Sequence, residues 1–435
     1  MTHGDRQGNS ELARVVGVPG AVLLGLGSIL GTGIFVSVGL AAEIAGPSVV
    51  LAVAVGAVVA TCNGLSSAQL AASHAVSGGT YEYGYRYLNP TLGFTAGWMF
   101  LCAKSASAAT AALGCAGYVL NALGHSEPVN RTVLALATVL VLTVVVVGGM
   151  HRSNRTNAVI VTVTLLALLA FVAAGLRPAV AGARVNLTGL FAGEGHGLRG
   201  FLHASALMFV AYTGYGRIAT LGEAVREPRR SIPRAIIATL VVTMVLYGAV
   251  AVVAVASRGA DGLAAATRSA AAPLEVLARG FDVPGLAWVV AIGAVTAMLG
   301  VLLNLLLGLS RVALAMARRH DLPVGLARVD GAASSPRRAV VAVGLVISVL
   351  VLTGSVRTTW SFSAFTVLVY YALTNLAALR LPPADRLYPR WISVLGLASC
   401  LGLAFWVEPR YWLSGLVLIA GGLAWHTAAQ RRARG

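Results

Sequence analysis

GSILGTGIF, residues 27–35, places three glycines, a serine and a threonine inside a run that is otherwise apolar enough to cross a membrane. Glycine inside a helix is less stable than alanine by roughly 0.5–1 kcal/mol, so an unbroken span gains nothing from this composition. A break frees backbone N–H and C=O groups, which are tolerated at membrane depth only where they face protein, water or a ligand. The stretch therefore predicts a broken helix at a binding site.

The rest of the chain has the composition of a polytopic helical membrane protein. Of its 435 residues, 57% are hydrophobic and 11% are charged, and its mean hydropathy is +0.82. Its apolar runs repeatedly reach about 20 residues, the length that crosses a hydrocarbon core. They predict an all-α membrane protein with twelve transmembrane helices, at 17–41, 46–68, 90–121, 131–149, 156–176, 199–222, 233–256, 284–317, 338–354, 358–380, 390–407 and 410–428.

The net charge of +17 comes from arginines that cluster in short segments between the apolar runs. Charges in such positions set membrane topology, so we expect no nucleic-acid partner. The arginine-rich segments at 152–155, 226–234 and 318–338 fall on the same side as both chain ends. Because cytoplasmic loops carry the excess of positive charge, we predict a multi-pass protein of the plasma membrane, surrounded by lipid, with both termini cytoplasmic.

A second interruption lies five helices further along, where the sixth predicted span reads FVAYTGYG at 209–216. Glycines spaced like Gly27 and Gly31 also allow close helix packing, but paired interruptions are typical of an inverted repeat with a substrate site at mid-membrane. The pattern predicts a five-plus-five inverted repeat with broken helices 1 and 6. It divides the chain into a cytoplasmic N-terminal tail at 1–16, a first repeat at 17–176, a second repeat at 199–380, two further helices at 390–428 and a cytoplasmic basic tail at 429–435.

The first interruption has chemistry that suits an anion. Glycine lets a ligand approach the backbone closely, and the N-terminus of the following half-helix carries partial positive charge and unpaired N–H donors. We expect the amides around Gly31 to Gly33 to bind a carboxylate. A phosphate or a chloride ion fits the same donors.

Several motifs, in order along the chain, resemble those of the amino acid-polyamine-organocation transporter superfamily. They are GSILGTGIF, AGP at 45–47, SGGTYEYGYRYLNP at 77–90, EAVREPRRSIPRAI at 223–236 and SRVALAMARRHDLP at 310–323. The resemblance covers nearly the whole chain. It implies a LeuT-like fold, alternating access, and a substrate whose α-carboxylate and α-amino group bind between broken helices 1 and 6. Motif matching places substrate contacts at Ile29, Thr32, Gly33, Ala108, Val210, Ala211, Tyr212 and Gly214.

Two positions depart from the family pattern. Val210 stands where many members have a bulky aromatic residue, and Gly216 stands where they have an acidic one. Phe209 or Tyr212 is then expected to close over the substrate. No acidic residue falls in the middle of spans 1, 3, 6 or 8 to pair with a cationic side chain, so we expect a neutral amino acid as substrate.

Lys104 is the only lysine of the chain and lies inside the third predicted span, in FLCAKSASAATAALG at 100–114. About fourteen residues separate it from the start of that span, which places it roughly 20 Å deep at about 1.5 Å per residue. An ionisable residue at such depth is by default functional. We expect Lys104 to be the proton-coupling residue; the alternative is a structural lysine whose head group reaches the interface.

The leading interpretation is a secondary active transporter that moves an amino acid and is coupled to protons. The alternatives are an exchanger without proton coupling, and a membrane-embedded sensor or non-transporting subunit. The sequence contains no catalytic constellation, nucleotide-binding loop or metal-ligand spacing. We therefore expect no enzymatic activity, no cofactor and no metal, whereas the particular amino acid and the oligomeric state stay open.

Overall fold

The computed structural model describes residues 17–76, 78–125, 127–149, 154–191, 197–220, 225–328 and 336–434. Across these ranges the chain is helical and forms no β-strand. The predicted N-terminal tail at 1–16 lies outside the described residues. At the other end of the chain, the last helix continues through Arg434 and includes most of the predicted basic tail.

Sixteen α-helices form within these ranges, and several begin at a proline, whose fixed φ and missing N–H suit the first helical turn. They are α1 Val18–Ile29, α2 Val38–Ala45, α3 Val49–Ser73, α4 Thr80–Tyr87, α5 Pro90–Ala122, α6 Pro128–Val147, α7 Asn154–Asn186, α8 Leu198–Tyr212, α9 Gly216–Ala219, α10 Pro228–Ala270, α11 Pro273–Arg279, α12 Leu286–Arg318, α13 Arg337–Val351, α14 Val356–Leu379, α15 Arg390–Ala404 and α16 Pro409–Arg434.

Eight helical stretches in the described part of the chain are long and apolar enough to cross a membrane. They are Val18–Ser73, which contains an interruption, Pro90–Ala122, Pro128–Val147, Arg155–Asn186, Pro228–Ala270, Leu286–Arg318, Val356–Leu379 and Pro409–Arg431. The chain is therefore a multi-pass membrane protein. Each of the twelve predicted spans falls largely on helical residues; that all twelve cross the membrane stays a prediction, as does the inverted repeat.

Helix α5 lies at the centre of the assembly, where it packs against α12 and α14. Its small residues are buried, which allows the neighbouring backbones to approach closely. Hydroxyl pairs also join α5 to α14: Ser107 Oγ lies 2.8 Å from Ser363 Oγ, and Thr110 Oγ1 lies 2.7 Å from Thr359 Oγ1. These contacts hold the third predicted span beside the two interruptions.

Both predicted interruptions are present. Helix α1 ends at Ile29, Leu30 is extended at φ −68° and ψ 107°, and residues Gly33–Ser37 form a π-helical turn before α2 begins. Helix α8 ends at Tyr212 and is joined to α9 by a 3-10 turn at Thr213–Tyr215. Short π and 3-10 segments within helices often mark functional sites, and here they face a shared cavity.

Candidate functional site

A cavity of about 460 Å³ lies between the two interruptions, with walls from α1, α5, α8, α12 and α14. Its volume is within the range of sites that bind small molecules, which is about 300–1,000 Å³. The sequence-predicted residues that line it are Ile29, Thr32, Gly33, Lys104, Val210, Ala211 and Gly214. The structure therefore brings together residues from three predicted spans at one site.

Four predicted site residues do not line the cavity: Gly31, Ala108, Phe209 and Tyr212. Ala108 is fully buried in the packed face of α5. A Cβ added to Gly31 would lie 2.7 Å from a methyl group of Val301 on α12, so that face of Gly31 is against protein. Gly31 can reach a ligand only through its backbone.

The aromatic residues expected to close over the substrate are turned away from the cavity. The Phe209 ring packs edge-on against Tyr371 with centroids 5.5 Å apart, and the Tyr212 hydroxyl donates to the carbonyl of Val53 at 3.3 Å. The rings that do line the cavity are Phe100, Trp360, Tyr370 and Tyr371. Trp360, Tyr370 and Tyr371 belong to α14, and no motif in the sequence identified them.

The first interruption leaves backbone donors free but satisfies its acceptors. The N–H groups of residues 31–33 donate to no carbonyl within the described chain. By contrast, the Tyr247 hydroxyl donates to the carbonyl of Ile29 at 2.8 Å, and Asn304 Nδ2 donates to the carbonyl of Gly27 at 3.2 Å. Side chains from other helices thus cap the freed carbonyls, and an electropositive cluster of amides remains.

The second interruption keeps its backbone hydrogen bonds. The Thr213 N–H donates to the carbonyl of Val210, and the Gly216 N–H donates to the carbonyls of Thr213 and Gly214. The Tyr371 hydroxyl adds a bond to the Thr213 carbonyl at 3.1 Å. This segment is a tightened helix, and it offers no comparable set of free donors.

Two glycines let the interruptions pack directly against each other. A Cβ added to Gly33 would lie 2.7 Å from the Cα of Ala211, and one added to Gly214 would lie 2.3 Å from the carbonyl oxygen of Ser28. Both distances are shorter than any real Cβ contact, and both neighbours are backbone atoms that cannot rotate away. A side chain at either position would clash with the backbone of the other interruption, so both positions require glycine.

Lys104 reaches the cavity from α5. Its residue surface is 8% exposed, and its Nζ donates to Thr213 Oγ1 at 2.8 Å. Within the described residues no carboxylate pairs with it. The lysine predicted from its depth thus contacts the second interruption, although this contact alone does not identify a proton site.

The remaining charges of the cavity lining are arginines: Arg217, Arg311 and Arg318. A guanidinium nitrogen of Arg217 lies 3.9 Å from the Cβ position of Gly308, so this side chain extends from α9 toward α12. No acidic residue lines the cavity in the part of the chain that the structure describes. Over the same residues, no group of three or more His, Cys, Asp or Glu side chains is placed to hold a metal ion.

Ion pairs join α2, α10 and α14 to the start of α16, away from the cavity lining. Glu43 Oε1 lies 3.3 Å from Arg357 Nη1 and 3.5 Å from Arg268 Nη1. Arg357 Nη2 also contacts Glu408 Oε1 at 2.6 Å, and Arg410 contacts the other oxygen of Glu408 at 2.7 Å. These pairs tether the far end of α2, which follows the first interruption.

Known proteins resemble this chain over most of its length. A family model described as amino acid permease matches residues 20–430. An uncharacterised transporter of Mycobacterium tuberculosis is 42% identical over 415 residues, covering 95% of this chain and 91% of that protein. The branched-chain amino acid permease of Bacillus subtilis is 29% identical over 346 residues, 76% of this chain and 72% of the permease.

A third relative is the methylthioribose transporter of Bacillus subtilis, 25% identical over 443 aligned positions that cover 95% of this chain and 93% of the transporter. The three relatives are named as transporters or as a permease, and none is named as an enzyme.

Proposed function

Because the chain belongs to the amino acid permease family of the amino acid-polyamine-organocation superfamily, we propose that it is a secondary active transporter that moves an amino acid across the plasma membrane. Transport proceeds by alternating access in symport with protons. The observation that carries this proposal is the set of free amides at residues 31–33 beside the cavity. Preorganised N–H donors at the start of a half-helix suit the carboxylate that every amino acid carries.

The α-carboxylate of the substrate binds these amides together with the Thr32 hydroxyl. Thr32 Oγ1 is buried, lines the cavity and has no hydrogen-bond partner within the described residues. An unsatisfied buried hydroxyl is unfavourable, so a ligand oxygen at this position is stabilising. Phosphate and chloride could use the same donors, and the test below includes them as competitors.

The remaining predicted site residues have two roles. Ile29, Val210, Ala211 and Gly214 line the cavity and contact the substrate in this proposal. Gly31 contributes only its amide. Behind the cavity wall, Ala108, Phe209 and Tyr212 pack and shape it, so they act on the substrate indirectly.

Two pseudo-symmetric repeats at 17–176 and 199–380 form the moving core of the proposed transporter, as expected for transporters with paired broken helices. Helices α15 and α16 lie outside the repeats. With both chain ends cytoplasmic in this proposal, the arginine-lined part of the cavity lies on the cytoplasmic side.

The substrate carries no cationic side chain. A cationic group would need a carboxylate partner, and none lines the described part of the cavity. A neutral side chain, as expected from the sequence, meets this condition. The name of the branched-chain relative agrees with such a substrate.

Lys104 is the coupling residue of this proposal. It bridges α5 and the second interruption through Thr213, and its charge can change with protonation. In the charged form the ammonium holds α5 against the 3-10 turn; loss of the proton weakens that bond and lets the two elements separate.

Counterflow in proteoliposomes tests the proposed function. The purified full-length protein should exchange radiolabelled amino acids without altering them, and an inward proton gradient should drive accumulation without sodium. Amino acid methyl esters should compete poorly because they lack the carboxylate. Esters that compete as well as the free acids, or phosphate and chloride that displace all amino acids, would contradict the carboxylate site. Exchange that does not depend on the proton gradient would indicate an exchanger. Absence of flux for every amino acid would indicate a sensor or a non-transporting subunit.

A further inference from the structure

Lys104 is a buried ammonium with hydrogen-bond donors to spare. An ammonium has three donors, and Thr213 Oγ1 accepts one of them at 2.8 Å. The Thr213 hydroxyl itself donates to the carbonyl of Val210 at 2.8 Å, so a lone pair, not its proton, faces Lys104. Within the described residues no other group accepts from Nζ, and Lys104 lines the cavity. Two donors are therefore available to a ligand.

In the part of the chain that the structure describes, no carboxylate forms an ion pair with Lys104. The acidic residues that form ion pairs in the described chain, such as Glu43 and Glu408, pair with other cations, and none lines the cavity. An uncompensated charge at membrane depth is strongly unfavourable. A ligand that supplies negative charge in the cavity would therefore stabilise the charged form of Lys104.

The route to Lys104 carries charge of the same sign. Arg217, Arg311 and Arg318 line the same cavity. Membrane topology alone favours arginine at these helix ends, so they do not identify the ligand by themselves. Their field nevertheless concentrates anions at the entrance and repels cations from it.

A zwitterionic substrate leaves this imbalance in place. Its carboxylate binds the amides of residues 31–33, and its own ammonium adds a positive charge to a cationic cavity. A second carboxylate on the substrate would remove the imbalance and use both free donors of Lys104. The cavity, at about 460 Å³, has room for a substrate of this length.

We propose that the substrate is an acidic amino acid whose side-chain carboxylate binds the Lys104 ammonium while its α-carboxylate binds the amides of residues 31–33. This inference rests on the proposed transport of an amino acid, and it replaces the neutral side chain expected from the sequence with a dicarboxylic one. It also links binding to coupling. Because a bound carboxylate stabilises the ammonium, substrate and proton favour each other's binding and are released together.

The acids and their amides form matched pairs that differ in charge and hardly in size. Counterflow into proteoliposomes with the full-length wild type should be inhibited by L-glutamate and L-aspartate at concentrations roughly tenfold below those of L-glutamine and L-asparagine, since a charge-assisted contact is lost in the amides. L-leucine serves as a neutral competitor of similar size. Amides or leucine that compete as well as the acids would overturn the inference and leave amino acid transport intact. If no amino acid competes or exchanges, the proposed function itself fails.

Lys104→Met removes the ammonium and keeps most of the volume. It should bring the inhibition by acid and amide to within about twofold of each other, while the amide still competes through its α-carboxylate. The matched control is Arg390→Met, which removes an exposed cation outside the cavity lining and should keep the preference for the acid. An acid preference that survives in Lys104→Met would exclude Lys104 as the second carboxylate site. If that variant does not fold, the comparison of acids and amides on the wild type still decides the substrate class.

Discussion

The two interruptions of the helical assembly are both marked by glycine, yet their backbones differ. At the first, the chain leaves the helix at Leu30 and re-enters it through the π-helical turn Gly33–Ser37. At the second, it only tightens into the 3-10 turn Thr213–Tyr215. The first has amides without backbone acceptors, whereas the second keeps its backbone hydrogen bonds.

This difference assigns different tasks to the two segments. Free backbone amides can bind an anion. A substrate carboxylate therefore forms more hydrogen bonds at the first interruption than at the second. The second segment holds its shape without a ligand, and its side chain Thr213 presents an acceptor to Lys104. One segment binds and the other positions the only lysine of the chain.

The largest expected effect comes from the glycine that brings the two segments together. In Gly33→Leu, the new side chain must displace the backbone of Ala211, which separates the segments and distorts the amides. We expect substrate affinity to fall by about 100-fold or more, a loss of roughly 3 kcal/mol. The measurement is the ligand-induced rise in melting temperature of the purified variant.

The control for this variant is Gly248→Leu. No atom lies within 4 Å of a Cβ added at Gly248, so this helix glycine should accept the change with wild-type binding. Gly33→Leu should remain folded without ligand. If it binds substrate normally, the close contact between the two interruptions is not needed for the site.

The second prediction concerns the role of Lys104 in proton coupling. Lys104→Ala should abolish accumulation driven by a proton gradient but leave exchange of amino acids that bind through their α-carboxylate, because the amides of the first interruption are untouched. Radiolabelled uptake with imposed pH or sodium gradients measures both activities. Arg318→Ala, which removes a cation at the cavity entrance, is the control and should keep coupling. Sodium-dependent uptake, or proton-driven accumulation that persists in Lys104→Ala, would contradict proton coupling by Lys104 and indicate a structural role for it.

The third prediction tests whether Val210, which precedes the second interruption, limits the size of the substrate. Val210 lines the cavity and is almost fully buried, so Val210→Trp fills space there. Larger substrates should lose affinity by roughly tenfold or more, while glycine and alanine are spared, because overpacking is penalised in proportion to size. Competition by amino acids of increasing size measures this selectivity, with Val210→Ile as the conservative control. An unchanged profile would show that the substrate does not contact residue 210.

The fold class and the positions of both interruptions could be predicted from the sequence, because the apolar runs and the glycines report on local backbone chemistry. Lys104 could also be found, since depth within a span follows from counting residues. The direction in which the side chains point could not be predicted from the sequence. Phe209 and Tyr212 precede the turn as the sequence suggests, but their rings point toward Tyr371 and Val53, and this depends on helix rotation.

The hydrogen bonds that cap the freed carbonyls could not be predicted from the sequence either. Asn304 forms an interhelical hydrogen bond with the carbonyl of Gly27 and also lines the cavity. Tyr247 carried no motif, because its role depends on α10 passing beside Ile29. Such contacts join residues more than 200 positions apart, and periodicity contains no information about them.

The fourth prediction compares the capping hydroxyls of the two segments. Tyr247→Phe leaves the Ile29 carbonyl without its donor, whereas Tyr371→Phe leaves the Thr213 carbonyl bonded to the Gly216 N–H. We expect Tyr247→Phe to lower the free energy of unfolding by about 1 kcal/mol, and Tyr371→Phe by less. Denaturation of both variants in the same detergent measures the difference. Equal losses would mean that the second segment depends on its side-chain cap as much as the first.

The smallest expected effect lies where ion pairs tether α2, the helix that follows the first interruption. Burial alone would raise the pKa of Glu408, but its hydrogen bond with Arg357 and the charges of Arg357 and Arg410 outweigh burial and hold that pKa below its ordinary value of 4.5. A carboxyl whose pKa is depressed in the folded protein stabilises it above the ordinary value, and this contribution is lost as pH falls through the lower folded value. Because the Glu408 side chain is 25% exposed, solvent screening keeps the contribution at about 0.5 kcal/mol. Glu408→Gln should therefore melt slightly below the wild type at about pH 7. The two melting curves should converge as the pH falls below the lowered folded pKa of Glu408, where both side chains are uncharged. A gap that widens on acidification would reverse the sign and show that this carboxyl is destabilising in its charged form.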